Sequence, residues 1–593
     1  MHLLPHLLLL GALTMAGVGN AAPTAGDFKT KRRDYDNPVL PGWNSDPSCV
    51  FVKEHDNTLF CTTSSFLTYP GIPVYASKDF TNWKLASYAI TRPEQLPELG
   101  TSGGGPGQQG EGIWASTIRY RNGTFYLITS YNSWRPWDPK ILLFKTTDPF
   151  KDNWEGPLRM ENPGGDIDPD LFWDDDDKAY VSVAAGIYIT EMDLKTGKAI
   201  GDTFKVWNGT GDRNPEGPHL YKKDSWYYLL IGEGGTETNH SVTIARSKSI
   251  RGPYEGYEKN PILTAKNTNS YFQTVGHADL FEDATGNWWA FALTTRSGPE
   301  WENYPMGRES ALIPAQWKRG EWPVIEPVRG RQSGPLPPVN RRVPGAGPWV
   351  DAPDVVDFKP GSQLPRQFVH WRIPKYDLFA ISPHGHPNTL RISPSRVNLT
   401  SDASYQPTEE GLGFIARKQT STKFALSVDL SFKPTTSSGE AGLTVFLTQL
   451  QHIDLSIVHL ASSSHSKTSV PHLKFSVEAT GKPNETVPES RTIPIRESWL
   501  SHPIQLKVEA VDEYKYVFTA ASANHPSQAV HVGEANATIV SGGSGPFTGT
   551  IIGAFATKNG NEKETAPAYF SRWRYTPTAQ AIGAGVYVPS SFH

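Results

Sequence analysis

The chain has 593 residues, 37% hydrophobic and 20% charged, with a formal net charge of -4. That length implies about two to four domains with sizeable cores, and the composition excludes wholesale disorder. The near-balance of 56 Lys and Arg against 60 Asp and Glu excludes the basic face of a nucleic-acid binder, and two cysteines exclude a disulfide framework or a multi-cysteine metal site. Abundant turn formers (53 Gly, 49 Pro) together with 18 Trp, 23 Tyr and 26 Phe point to an all-β architecture.

Residues 7–18 form an apolar run too short to span a bilayer, and small residues follow at 19–22. This pattern predicts a signal peptide over residues 1–21. No other stretch approaches the ~20 apolar residues of a membrane helix. The mature chain is therefore expected to be secreted, with no membrane partner. Six N-x-[ST] sequons, at Asn122, Asn208, Asn239, Asn398, Asn484 and Asn536, agree with an extracellular glycoprotein. Lys31, Arg32 and Arg33 read as a basic surface patch. Cys49 and Cys61 flank a hairpin-like stretch and face each other if its turn centres on His55. A disulfide and a pair of buried thiols both remain open.

Between residues 44 and 295 one unit recurs five times: an apolar strand, a polar turn, then an aromatic-rich strand. The second strands begin near Leu59, Phe125, Ala179, Trp226 and Trp288. Five such hairpins, each with room for two more strands, predict a five-bladed β-propeller. The residues that precede each first strand are Asp46, Trp114, Asp168, Glu216 and His277. Equivalent inner-strand starts ring one mouth of a propeller's channel, so three carboxyls and an imidazole should converge from widely separated blades. Isolated acids in turns act as hydrogen-bonding caps, but four chemically matched residues at one repeat position point to a site.

Glycoside hydrolysis needs two carboxyl groups in different protonation states. One protonates the leaving oxygen; the other, ionised, activates water or attacks the sugar. A third carboxylate nearby raises the acid's pKa by like-charge repulsion. Asp166 and Asp170 flank Asp168 and compete with it on alternation alone. The Asp174–Asp177 run lacks the glycine and terminal glutamate of a calcium loop.

The segments around Ser45-Asp46-Pro47, Gly112-Ile113-Trp114-Ala115, Ile167-Asp168-Pro169, Pro215-Glu216-Gly217-Pro218, Val275-Gly276-His277 and Gly307-Arg308-Glu309 together resemble glycoside hydrolase family 43. The resemblance implies a five-bladed propeller over residues 35–330 with inverting chemistry. It implies Asp46 as general base, Glu216 as general acid and Asp168 as pKa modulator and orienter. Arg308 would reach the sugar's hydroxyls. His277 would sit at the channel centre, holding a water or, through waters, a structural calcium ion; no cofactor is required. Trp114 and Phe66 are expected to contact sugar, with Trp134 and Trp137 as weaker candidates. The loop 101–110 is expected to wall the cleft.

Residues 331–350 read as a Pro/Gly-rich linker. Short alternating strands over residues 351–578 predict a β-sandwich, and its closing Phe570–Tyr575 segment resembles the concanavalin-like domain of some family members. The resemblance implies a monomeric exo-acting α-L-arabinofuranosidase that trims doubly substituted arabinoxylan of the plant cell wall. A β-1,4-xylosidase is the alternative, and a non-catalytic carbohydrate-binding propeller is a third reading.

Overall fold

The computed structural model describes residues 31–590 apart from 102–108, 135, 185, 401–409, 462–468, 562 and 564. The signal-peptide expectation and most of the 101–110 loop lie outside the described residues.

Five antiparallel sheets follow one another as blades, each a meander in sequence order. Their inner strands are Ser48–Val52, Gly112–Arg121, Asp170–Trp173, Glu216–Lys223 and Phe272–Glu282. Every first hairpin is one of the five expected. The polar turns fall at the hairpin tips, and the aromatic second strands pack between blades. Phe80 of the first blade, for example, meets Phe281 and Trp289 of the fifth edge-on at 5.5 and 5.7 Å, a favoured aromatic geometry. Cys49 and Cys61 are direct cross-strand partners and form a buried disulfide.

A second layer of polar contacts closes the ring around its axis. Ser48, Asp170 and Asp279 lie two positions beyond the mouth, on the same strand face, and Arg119 and Tyr221 of the second and fourth inner strands join them in one network. Arg119 pairs with Asp170 at 2.6 Å and Asp279 at 2.9 Å. The hydroxyls of Ser48 and Tyr221 donate to Asp279 at 2.7 and 2.6 Å.

The C-terminal half is a sandwich of a nine-stranded and an eight-stranded sheet. The 16-residue strand Ala568–Gly583 runs through the larger sheet and, with Val586–Pro589, carries the domain past residue 578. Residues 331–350 are no free tether. Their first four residues, Arg331–Gly334, pair with the N-terminal strand Arg33–Asp36, and Leu336 and Val343 are buried. The basic patch is also partly absorbed, because Arg32 pairs with Glu326 at 2.7 Å. The two domains share a sheet: Thr68 and Tyr69 of the propeller pair with Trp371 and His370 at the sandwich's edge, covering a strand edge that would otherwise be open.

Candidate active site

Local backbone geometry aims the mouth residues inward. Asp46, Asp168 and His277 have positive φ angles of 54, 55 and 41°, and so does Gly217 at 55° beside Glu216. Register shifts interrupt the inner strands after Trp114, after Glu216 and around His277. Bulges and left-handed residues re-aim side chains next to active sites and are retained where the surrounding structure over-determines them. Glycine is required at 217, since a Cβ there would lie 2.8 Å from the His277 ring.

Asp46, Asp168, Glu216, His277, Arg308, Phe66 and Trp114 all line one cavity of about 310 Å³. Arg308 grips Asp46 with both terminal nitrogens, at 2.9 and 3.2 Å, and the Ser64 hydroxyl donates to the same carboxylate at 2.5 Å. Burial opposes the charge on Asp46, but Arg308, His277 and Ser64 outweigh it and hold the carboxyl below its ordinary range. Burial pushes Asp168 well up, and the charges of Glu216 and Asp46 add to that; its one compensation is the Gly217 N–H at 3.1 Å. Burial also opposes the charge on Glu216. There the imidazoles of His240, 3.5 Å away, and of His277 outweigh it and draw the carboxyl below the ordinary glutamate range. Asp168 and Glu216 titrate as a pair: burial and like charge favour the proton on Asp168, while the two imidazoles, neighbours only in the fold, favour the charged form of Glu216.

Asp170 no longer competes with Asp168, because it is committed to Arg119 and to the Leu220 N–H at 2.8 Å. Asp166 does line the cavity, half-buried, and burial raises its carboxyl. His277 lies 3.9 Å from Asp46, and burial drives its imidazole down to about 4, so the ring is neutral. Among the described residues no three His, Cys, Asp or Glu side chains converge on a metal position. Calcium takes six or more oxygen ligands, while the Asp46 oxygens beside His277 are already engaged by Arg308 and Ser64. These residues do not fit direct coordination of a calcium ion.

Sequence reasoning missed Phe547, which the sandwich inserts into the cavity. Its ring stacks with Phe66 at 6.2 Å, and its carbonyl accepts from Arg308 Nε at 3.1 Å. The Arg308 guanidinium lies beside this stacked pair, 5.8 and 5.4 Å from the Phe66 and Phe547 centroids, within cation–π range of both rings. Thr236, an acceptor for Arg308 at 3.0 Å, and His240 were missed too. None of the three carries a signal in its own segment.

A buried carboxylate held ionised by a guanidinium, with two further carboxyls of opposite pKa shift lining the same cavity, is the donor set that glycoside hydrolysis needs. Comparison with known proteins agrees. Residues 35–323 match the glycosyl hydrolases family 43 model, and residues 355–576 match the beta xylosidase C-terminal concanavalin A-like domain. The chain is 31% identical, over 95% of its length and 97% of the relative's, to the non-reducing end alpha-L-arabinofuranosidase BoGH43B of Bacteroides ovatus. It is 36% identical to a xylan 1,3-beta-xylosidase of a Vibrio species, over 54% of this chain and 62% of that one. The crystal structure of a xylan beta-1,4-xylosidase from Bacillus halodurans superposes with a TM-score of 0.77 at 27% identity, covering 91% of this chain and 99% of that one. The chain belongs to glycosyl hydrolase family 43 and is a glycosidase.

Proposed function

We propose that the protein is a secreted, monomeric, inverting exo-glycosidase that releases terminal α-L-arabinofuranose from arabinoxylan, doubly substituted xylose included. The observation that carries this reading is the cavity that gathers Asp46, Asp168, Glu216 and Arg308 at one mouth of the propeller. The buried carboxylates bridged by Arg119 cross the propeller axis beyond it, which supports entry from one side by a chain terminus or side-branch sugar. Asp46, held ionised by Arg308, activates water; Glu216 protonates the leaving oxygen. A bound sugar displaces water from Glu216, the more exposed partner of the carboxyl pair, which raises its proton affinity. The near full-length likeness to an arabinofuranosidase supports the choice of sugar. The names of the other relatives support the alternative, a β-1,4-xylosidase on xylooligosaccharides. Secretion is supported by the Cys49–Cys61 disulfide and by the exposure of five of the six sequon asparagines, all but Asn398.

Proton NMR of fresh digests tests the proposal. Initial β-arabinofuranose from arabinoxylan oligosaccharides is the expected product. Initial α-xylose from β-1,4-xylobiose, with no arabinose release, would make the enzyme a xylosidase. Initial α-arabinofuranose would overturn inversion.

A further inference from the structure

Of the 18 tryptophans, only Trp134 and Trp137 are exposed, at 38% and 43%. They stand together on the connection between strands Thr124–Asn132 and Lys140–Thr146 of the second blade and are joined by an isolated β-bridge. Their rings lie 5.4 Å apart and 35° from coplanar. Both contact Trp114 inside the pit, at 5.3 and 5.9 Å. Trp114 in turn meets Phe66 and Phe547, each at 6.0 Å. An unbroken aromatic wall therefore climbs from the base of the site to the surface. The connection is fixed in height: the Trp134 N–H donates at 2.8 Å to the carboxylate of Glu111, itself buried. Trp134 lines the cavity; Trp137 lies outside it.

Exposed aromatic surface is unfavourable in water, and clusters of it mark ligand grooves. This cluster continues the active-site wall outward. With entry from one side, the part of the substrate beyond the scissile bond has to leave across the rim, where these two rings are the exposed tryptophans. We infer that Trp134 and Trp137 form an acceptor-side platform that binds the sugars beyond the scissile bond. The ligand class is a chain of pyranose units with equatorial hydroxyls, such as β-1,4-linked xylose, whose flat C–H faces stack on indole. Trp134 holds the unit nearest the cleaved bond, and Trp137 the next one along. The inference rests on the proposed action on xylan-derived substrates.

The test compares wild type, W137A and W137F on a nitrophenyl glycoside of the terminal sugar and on arabinoxylan oligosaccharides with short and long xylose backbones. The aryl substrate lacks acceptor sugars, so W137A should match wild type on it. On long-backbone oligosaccharides W137A should lose about fivefold to tenfold in kcat/KM, the scale of one aromatic contact. The loss should fall mainly in KM, shrink on short backbones and be largely restored in W137F. An equal loss on aryl and oligosaccharide substrates would make Trp137 structural, and no loss on any substrate would overturn the platform; either leaves the substrate assignment standing. Wild-type inactivity on all xylan oligosaccharides, with aryl activity retained, would overturn the substrate assignment and the platform with it.

Discussion

A carboxylate can act as a base in a dry pit only if something keeps it charged there. Arg308 does this for Asp46, so D46N should abolish turnover on every substrate. With Glu216 as the proposed general acid, E216Q should lose most turnover on oligosaccharides and far less on an aryl glycoside, whose leaving group needs little help. Comparing kcat on the two substrates checks both variants. Burial and its carboxylate neighbours raise the pKa of Asp168, and the Asp168 charge in turn raises that of Glu216. In D168N that charge is gone, and Glu216, drawn down by His240 and His277, should lose its proton at lower pH. The alkaline limb of the kcat/KM profile should therefore move to lower pH, while the acidic limb, set by Asp46, stays in place. At this scale the sequence was legible wherever chemistry recurred at one repeat position. His240 and Thr236 were not legible, because their roles depend on which blade stands beside them.

At the scale of elements, the inner strands carry two functions on one face. Mouth positions line the cavity; positions two residues further on, Ser48, Asp170 and Asp279, belong to the buried axis network. Arg119 neutralises Asp170 and Asp279 together and holds both carboxyls well below the ordinary range against the cost of burial. Replacing it with methionine strands two buried charges, a loss of about 3–5 kcal/mol by analogy with broken buried pairs. Denaturant titration of R119M checks this. The linked pH dependence has a defined sign. Depressed native carboxyls give stability that is fully present above about pH 4, the unfolded aspartate value, and is lost as pH falls toward the native values. R119M, which raises both carboxyls instead, should become more stable as pH falls from their raised native values to about 4 and gain nothing further below it. The hairpins of the blades were legible because strand and turn chemistry is local. The bulges that aim Glu216 and His277 were not, since a register shift is a property of two strands.

For the whole molecule, the sandwich completes the active site. Phe547 crosses to the pit, holds Arg308 through its carbonyl and stacks on Phe66, while the shared strand pairing at Thr68 and Tyr69 fixes the approach of the two domains. The F547A variant should fold with an unchanged melting temperature to within a few degrees, yet lose about tenfold in kcat/KM on aryl glycosides, because the Arg308 side chain loses the nearer of its two ring contacts and Phe66 its stacking partner. Full activity in F547A would reduce the sandwich to a support. The strand pattern of residues 351–578 could not place Phe547 in the cleft, because its contact with Arg308 joins residues 239 positions apart.

By itself the sequence determined an all-β chain, a five-fold repeat, three carboxyls and a histidine at matched positions, and a strand-rich second half. These follow from local patterning: alternation, turn residues and the spacing of the repeat. Only the tertiary structure decided which imidazoles and carboxyls surround Asp168 and Glu216, that Asp170 belongs to the axis network and not the site, that residues 331–350 are packed, and that Phe547 lines the cavity. Each of those outcomes depends on burial and on charges brought close by folding, and electrostatic energy depends on distance in space, not along the chain.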